Sequence, residues 1–174
     1  MEDILTKQQI SEILKTAQSK GAEFAEIFLE DKTVCTINAD GGKIERINSG
    51  SEQGLGLRLI NGENTAYAST NELGYENLLA IAEKTAAAVC GDSAEIELDF
   101  NYPLAKQSAA AIRPETIDLE QKIAQVKAAD QAALNTDENI VRTAVSYSDI
   151  TQNVLIASTT GRLVRDERIR TRIS

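Results

Sequence analysis

Histidine is absent from all 174 positions. That excludes Ser–His and Cys–His nucleophile pairs, imidazole acid–base chemistry and the commonest zinc ligand. Mechanisms built on carboxylates, lysine or tyrosine remain open. Tryptophan is also absent and aromatic residues make up only 4 % of the chain, so a core must be built from Ile, Leu, Val and Ala. The two cysteines, Cys35 and Cys90, form no CxxC pair. Both lie in apolar stretches and read as buried reduced thiols, with a disulfide or a reactive thiol as the alternatives. No Walker-type or GxGxxG loop is available to cradle a phosphate. No apolar run approaches the roughly 20 residues that span a bilayer. The first residues carry Glu2 and Asp3 with no apolar segment behind them, unlike a secretory signal. These absences predict a cytoplasmic protein that uses no membrane. Basic residues are the minority, 18 against 27 acidic ones, for a net charge of −9. A phosphate backbone is repelled by that average, so nucleic acid is not an expected partner.

What is present is a globular balance, 42 % hydrophobic and 26 % charged. A chain of this length is one ordinary domain or two small ones. It buries roughly 70 % of its unfolded surface, enough for a core without disulfides. Ile10, Ile13, Leu14 and Ala17 follow the spacing of an amphipathic helix. Thr6 and Gln9 form a capping box ahead of it, and Gly21 stands at its end. Glu23 to Asn38 then reads as a long strand, Asp40-Gly41-Gly42 as a turn, and Lys43 to Asn48 as a second strand. Ser49-Gly50-Ser51 reads as another turn. Gln53 to Ile60 alternates strictly, with Leu55, Leu57 and Leu59 on one face and Gly54, Gly56 and Arg58 on the other. Asn61-Gly62 has the signature of a type I′ hairpin turn, and Glu63 to Thr70 pairs back as a fourth strand. A second helix follows from about Gly74 to Cys90, ended by Gly91, with Leu78, Leu79, Ala82, Ala86 and Val89 apolar.

Residues 92–114 read as an irregular connection containing Pro103. A third helix begins near Pro114, with Thr116 and Asp118 competing for its cap and Leu119, Ile123, Val126 and Ala133 on its apolar face. Strands return over Asn139 to Tyr147, Asn153 to Ser158, and Arg162 to Ser174. The expected class is α+β, with helices packed on antiparallel sheet. A helix–meander–helix unit over 1–91 is followed by a helix–strand unit over 115–174. The segments TVCTINADGGKIER and NVLIASTTGRLVR share a strand–glycine turn–strand plan, consistent with an internal duplication or with two ordinary hairpins. The alternation of Arg168, Arg170 and Arg172 with Ile169, Thr171 and Ile173 is still running at Ser174, which suggests a chain that continues.

The segment GAEFAEIFLEDKTVCTINADGGKIERINSGSEQGLGLRLINGENTAYASTNEL resembles the opening region of the TldD/PmbA family. Its successive landmarks are AEFAEIFLE, GGKIER, GLGLRLI and TAYASTNEL. VLIASTTGRLVRDERIRTRIS is similar to the next landmark, a glycine turn before an arginine-rich strand, and leans to the TldD branch. The resemblance implies a cytoplasmic zinc metallopeptidase acting on peptides or partly unfolded polypeptides, as a homo- or heterodimer. It places zinc on a His-Glu helix in a missing C-terminal half, where the two histidines face one metal and the glutamate activates water. No catalytic or metal-binding residue carries over to this chain, which is expected to shape the substrate channel and dimer contact. A non-catalytic PmbA-type partner subunit and a stand-alone binding module are the competing readings. The family's link by name to DNA gyrase reads as indirect, through proteolysis.

The candidate contact residues are Gly54, Gly56, Arg58, Arg168, Arg170 and Arg172. The glycine face admits a packed helix, a bend in the sheet, or an added peptide strand. The arginines on one strand face meet solvent, the missing half, or acidic groups of a substrate. Glu23, Glu26, Glu30 and Asp31 lack the spacing of a calcium or magnesium loop and read as a charged edge.

Overall fold

The computed structural model describes residues 4–89, 97–100 and 110–174. In chain order these form α1 (Lys7–Gln18), β1 (Phe24–Asp40), β2 (Lys43–Asn61), β3 (Asn64–Thr70), α2 (Tyr75–Ala86), a 3₁₀ turn (Pro114–Thr116), α3 (Leu119–Leu134), β4 (Ala144–Ser158) and β5 (Leu163–Ile173). The strands make one sheet of five in the order β3-β2-β1-β4-β5. The fold is α+β. Most of the connection expected over 92–114, together with Cys90 and Gly91, lies outside the described residues.

The helix start at α1 follows the sequence closely. Thr6 Oγ1 accepts from the Gln9 amide at 3.2 Å, and Gln9 Oε1 accepts from the Thr6 amide at 2.9 Å. Two amides that would otherwise lack helical partners are thereby satisfied. Ile10, Ile13, Leu14 and Ala17 are all buried.

The segments expected as separate strands over Asn139–Tyr147 and Asn153–Ser158 form one strand, β4, which starts only at Ala144. The strands depart from expectation in two further places. No turn forms at Ser49-Gly50-Ser51, and β2 runs unbroken through it. The meander therefore has three strands rather than four. Cross-strand pairs hold the register on either side: Asn48 Nδ2 donates to Thr36 Oγ1, and Lys32 Nζ lies 2.8 Å from Glu52 Oε2. The turn types are also redistributed. Both Gly41 and Gly42 have positive φ, the requirement of a type I′ loop. After β2, Asn61 pairs with Asn64, so the loop is Gly62-Glu63. Only Gly62 there has positive φ, which fits a type II′ turn with glycine first. The Asn61-Gly62 signal located the hairpin but placed its loop one residue early.

Two compact units divide the chain by contact rather than by sequence. One comprises Met1–Asp31, Gln53–Lys106 and Asn153–Asp166; the other comprises Lys32–Glu52, Gln107–Gln152 and Glu167–Ser174. In the first, α1 and α2 pack together. Their residues Ile13, Leu14, Leu78 and Ala82 close over Ala25, Ile27 and Leu29 of β1 and Leu55, Leu57 and Leu59 of β2. In the second, Val126 of α3 packs with Cys35, Ile37 and Ala39 of β1 and Val145 and Tyr147 of β4.

The buried face of α3 keeps Val126 and the half-buried Ile123 of the apolar stripe but adds two charged residues that periodicity does not predict. Lys122, Val126 and Asp130 point inward, while Leu119 is 45 % exposed. Each buried charge has a partner across the interface: Asp149 for Lys122 and Thr143 for Asp130. Pairing overrides apolar patterning here, because an ionised group can leave water when a partner satisfies it. Asp118 rather than Thr116 is the cap residue of α3.

Candidate functional site

Gly54, Gly56 and Arg58 sit on β2 in the first unit, on the face opposite the buried Leu55, Leu57 and Leu59. Arg58 lies opposite Tyr67 of β3. Its guanidinium is 2.9 Å from Glu26 Oε1 and 5.9 Å from the centre of the Phe24 ring, so ion pair and cation–π contact hold it against β1. A Cβ at Gly56 would lie 2.5 Å from the Tyr67 hydroxyl. The glycine makes room for a tyrosine ring leaning from the neighbouring strand. A Cβ at Gly54 would be 3.3 Å from the Thr70 carbonyl. The bare face is thus filled locally by β3.

The acidic residues of this region are engaged singly. Glu23 accepts from the Gly62 amide at 3.2 Å, and Glu26 pairs with Arg58. Among the described residues no group of three or more His, Cys, Asp or Glu is placed to hold a metal ion.

Arg168, Arg170 and Arg172 lie on β5 in the second unit. Ser146 and Ser174 exchange both backbone hydrogen bonds, and the Ser158 amide donates to the Arg162 carbonyl, giving one antiparallel register along the β4–β5 hairpin. That register sets Arg172 opposite Ser148 and Arg170 opposite Ile150. Arg170 and Arg172 share an open groove of about 440 Å³ with Ser146, Ser148, Ile150 and Ser174. No Asp or Glu side chain lines it.

A polar cluster that apolar patterning did not reveal lies on the helix side of the same unit. Lys122 Nζ is 2.7 Å from Asp149 Oδ2, and both side chains are more than nine-tenths buried. The Tyr147 hydroxyl donates to the same oxygen at 2.6 Å. Burial, reinforced by that carboxylate, pushes the Tyr147 phenol well up and holds it protonated as a donor. Burial likewise raises the nearby Cys35 thiol, which makes no disulfide. Lys122 and Tyr147 also line a cleft of about 580 Å³ with Ile112, Pro114, Ile117 and Ile173. Chemically the cluster is closed: the carboxylate takes two donors and no activated nucleophile results. It fixes α3 on the sheet. The sequence signal for it was the alternation Val145, Tyr147, Asp149, Thr151, in which a carboxylate falls on an otherwise buried face and calls for a cation.

Domain models of a single family match both halves of this arrangement. PmbA/TldA metallopeptidase domain 1 covers residues 25–89, and the PmbA/TldA metallopeptidase central domain covers residues 112–174. The chain belongs to the PmbA/TldD family. It is 26 % identical over 175 residues to a protein of Haemophilus influenzae called a metalloprotease TldD homolog, covering 98 % of this chain and 36 % of that protein. The chain therefore spans about a third of the length of that curated relative. Among solved structures, a protein of Bacteroides thetaiotaomicron called a modulator of DNA gyrase superposes with a TM-score of 0.73 at 20 % identity, over 96 % of this chain and 39 % of that one. A Thermotoga maritima protein, likewise called a modulator of a DNA gyrase, gives 0.72 at 16 % identity, over 95 % and 38 %. TldE from Thermococcus kodakarensis gives 0.64 at 12 % identity, over 95 % and 38 %. At such identities the likeness is one of fold.

In PmbA/TldD terms, Gly54, Gly56 and Arg58 fall in domain 1, and Arg168, Arg170 and Arg172 in the central domain. The family is one of metallopeptidases, but the described residues of this chain do not fit a zinc centre. The sequence offers no imidazole, and the described carboxylates and thiol gather into no ligand set.

Proposed function

We propose that this chain is the non-metal-binding N-terminal part of a TldD-type zinc metallopeptidase acting on peptides or partly unfolded polypeptides. The single observation that carries this reading is the end-to-end match of the chain to one third of a protein called a metalloprotease TldD homolog. In this reading the sheet and its helices form a wall of the substrate channel and part of a dimer contact with a TldD- or PmbA-type chain. Zinc is held elsewhere in the intact protein in this reading; the absence of histidine from this chain supports it. A cytoplasmic location belongs to the same proposal. Among the described residues no helix is long and apolar enough to cross a membrane.

The competing reading is a PmbA-type subunit that assists an active partner without holding metal. The superposition with TldE is the observation on its side, at a lower TM-score than the other two. Peptide hydrolysis by the intact native protein, alone and with its PmbA/TldD-family partner, separates them. The TldD-type reading expects chelator-sensitive cleavage that is lost when the metal ligands of this protein are substituted. Cleavage that survives those substitutions and depends on the partner's ligands favours the subunit reading.

A further inference from the structure

β3 lies at one end of the sheet order, so its outer edge carries no strand among the described residues. The register with β2 fixes which backbone groups stand on that edge. Asn61 and Asn64 close the two-residue loop as a hydrogen-bonded pair, and bonded pairs recur at Ala66, Ala68 and Thr70. Thr65, Tyr67 and Ser69 therefore turn their amides and carbonyls outward. Natural sheets guard such edges with charge, proline or a bulge. β3 has none of these. It reads NTAYAST, pairs continuously with β2, and is the one strand of the described sheet without an Asp, Glu, Lys or Arg. The chain as a whole is acidic, with a net charge of −9, so a neutral strand is where a like-charged copy can approach. The strand is also symmetric about Tyr67. In both directions from that residue come an alanine, then a hydroxyl residue, then a small polar residue, Asn64 or Thr70. The Tyr67 ring leans back over Gly56, which keeps its bulk off the edge.

We propose that the outer edge of β3 pairs antiparallel with the same edge of a second copy of this chain, with the two-fold axis at Tyr67. This rests on the dimer contact in the reading above and gives that contact a place. A two-fold axis demands self-complementarity: what stands a given distance before Tyr67 must suit what stands the same distance after it. Tyr67 then faces its own counterpart, Ala66 faces Ala68, and Thr65 faces Ser69. This register also brings the outward backbone groups together, so Thr65, Tyr67 and Ser69 of the two copies make about six interchain hydrogen bonds. Facing aromatic pairs and facing hydroxyl pairs are favourable. An axis moved to Ala66 or Ala68 keeps the backbone groups facing but sets Tyr67 against Thr65 or Ser69, and the symmetry of the side-chain pairs is lost.

The test is sedimentation equilibrium of the intact native protein. Wild type is expected to be a dimer. Tyr67→Lys and Tyr67→Glu each set like charges opposite one another at the axis and should raise the dimer dissociation constant about tenfold or more. Mixing the two variants in equal amounts sets Lys against Glu and should restore the wild-type mass. Ser69→Pro removes an outward amide and leaves the ladder with β2 whole, so it too should weaken the dimer without unfolding the chain. Thermal melts check that every variant is folded. A wild-type dimer that survives Tyr67→Lys and Ser69→Pro overturns the β3 contact and leaves a dimer through another surface. Dissociation by both charge variants with no recovery on mixing overturns the axis at Tyr67. A wild type that is monomeric alone overturns the inference, with β3 then covered by other parts of its own protein or by an unlike subunit. If that monomer still pairs with a PmbA/TldD-family partner, the dimer reading stands; if it pairs with neither, that reading falls too.

Discussion

Lys122 Nζ lies 2.7 Å from Asp149 Oδ2 with both side chains almost wholly out of water, so the second unit holds α3 to β4 by a buried ion pair. Tyr147 adds a hydrogen bond to the same oxygen. Removing one member leaves a buried charge without compensation. Lys122→Met is expected to destabilise by about 3–5 kcal/mol. The double variant Lys122→Met with Asp149→Leu should recover most of that loss, because the pair as a whole contributes little against its desolvation. Urea unfolding of the wild type and the variants measures both. Equal losses in the single and double variants would show that the pair is not coupled.

Gly161 and Gly56 should respond differently to alanine. At Gly161, φ is +82° and a Cβ would lie 2.8 Å from the Asp99 backbone carbonyl. Neither problem can relax through a side chain, and a loss of about 1–3 kcal/mol is expected. At Gly56 the obstacle is the Tyr67 hydroxyl, at the end of a side chain that is 66 % exposed. Gly56→Ala should cost less than Gly161→Ala, and less still in a Tyr67→Ala background. Denaturation midpoints of the four variants decide it.

The Thr6 cap predicts a helix-end effect. Thr6→Ala should lose about 1 kcal/mol, and Thr6→Asp should restore most of it. Both Thr6 and Gln9 take part, so Gln9→Ala should show a smaller loss of the same kind, read from thermal unfolding.

An acid-side dependence follows from Asp40. Hydrogen bonding from Arg142, at 2.6 Å to each carboxylate oxygen, holds the Asp40 carboxyl below its ordinary value of 3.8. A group depressed in the folded state contributes stability above its unfolded pKa and loses it as pH falls through the folded pKa. The contribution of this exposed pair should therefore be present at pH 5 and above and fade below about pH 4. Asp40→Asn should lower the melting temperature at neutral pH, and the gap to wild type should close on acidification. A gap that widens below pH 4 would contradict this linkage.

On the alkaline side, Tyr75 donates to Glu12, and that bond raises its phenol to about 12. Because the folded pKa is raised, the contribution is complete below the ordinary value of 10 and is lost as pH rises towards 12. Tyr75→Phe should flatten stability across that window.

Sequence patterning located elements best where apolar periodicity and turn chemistry acted alone. The capping box at Thr6, the Leu55–Leu57–Leu59 face and the hairpin near Gly62 were legible because each depends on neighbours in the chain. Ser49-Gly50-Ser51 misled because turn-forming residues also tolerate an extended strand when its cross-strand pairs, here Thr36–Asn48 and Lys32–Glu52, keep the register. On α3 the stripe of Ile123 and Val126 was legible, but two further buried residues were not. Lys122 and Asp130 are charged, yet partners on distant segments make their burial favourable, and no local window contains those partners. The arginines of β5 were visible as an alternation. Their groove required the register with Ser146 and Ser148.

The most direct test of the central claim is the zinc stoichiometry of the intact native protein beside that of residues 1–174, by elemental analysis after exhaustive dialysis. The account predicts about one zinc per intact chain and none bound by residues 1–174. Stoichiometric zinc on residues 1–174, or none on the intact protein, would contradict it.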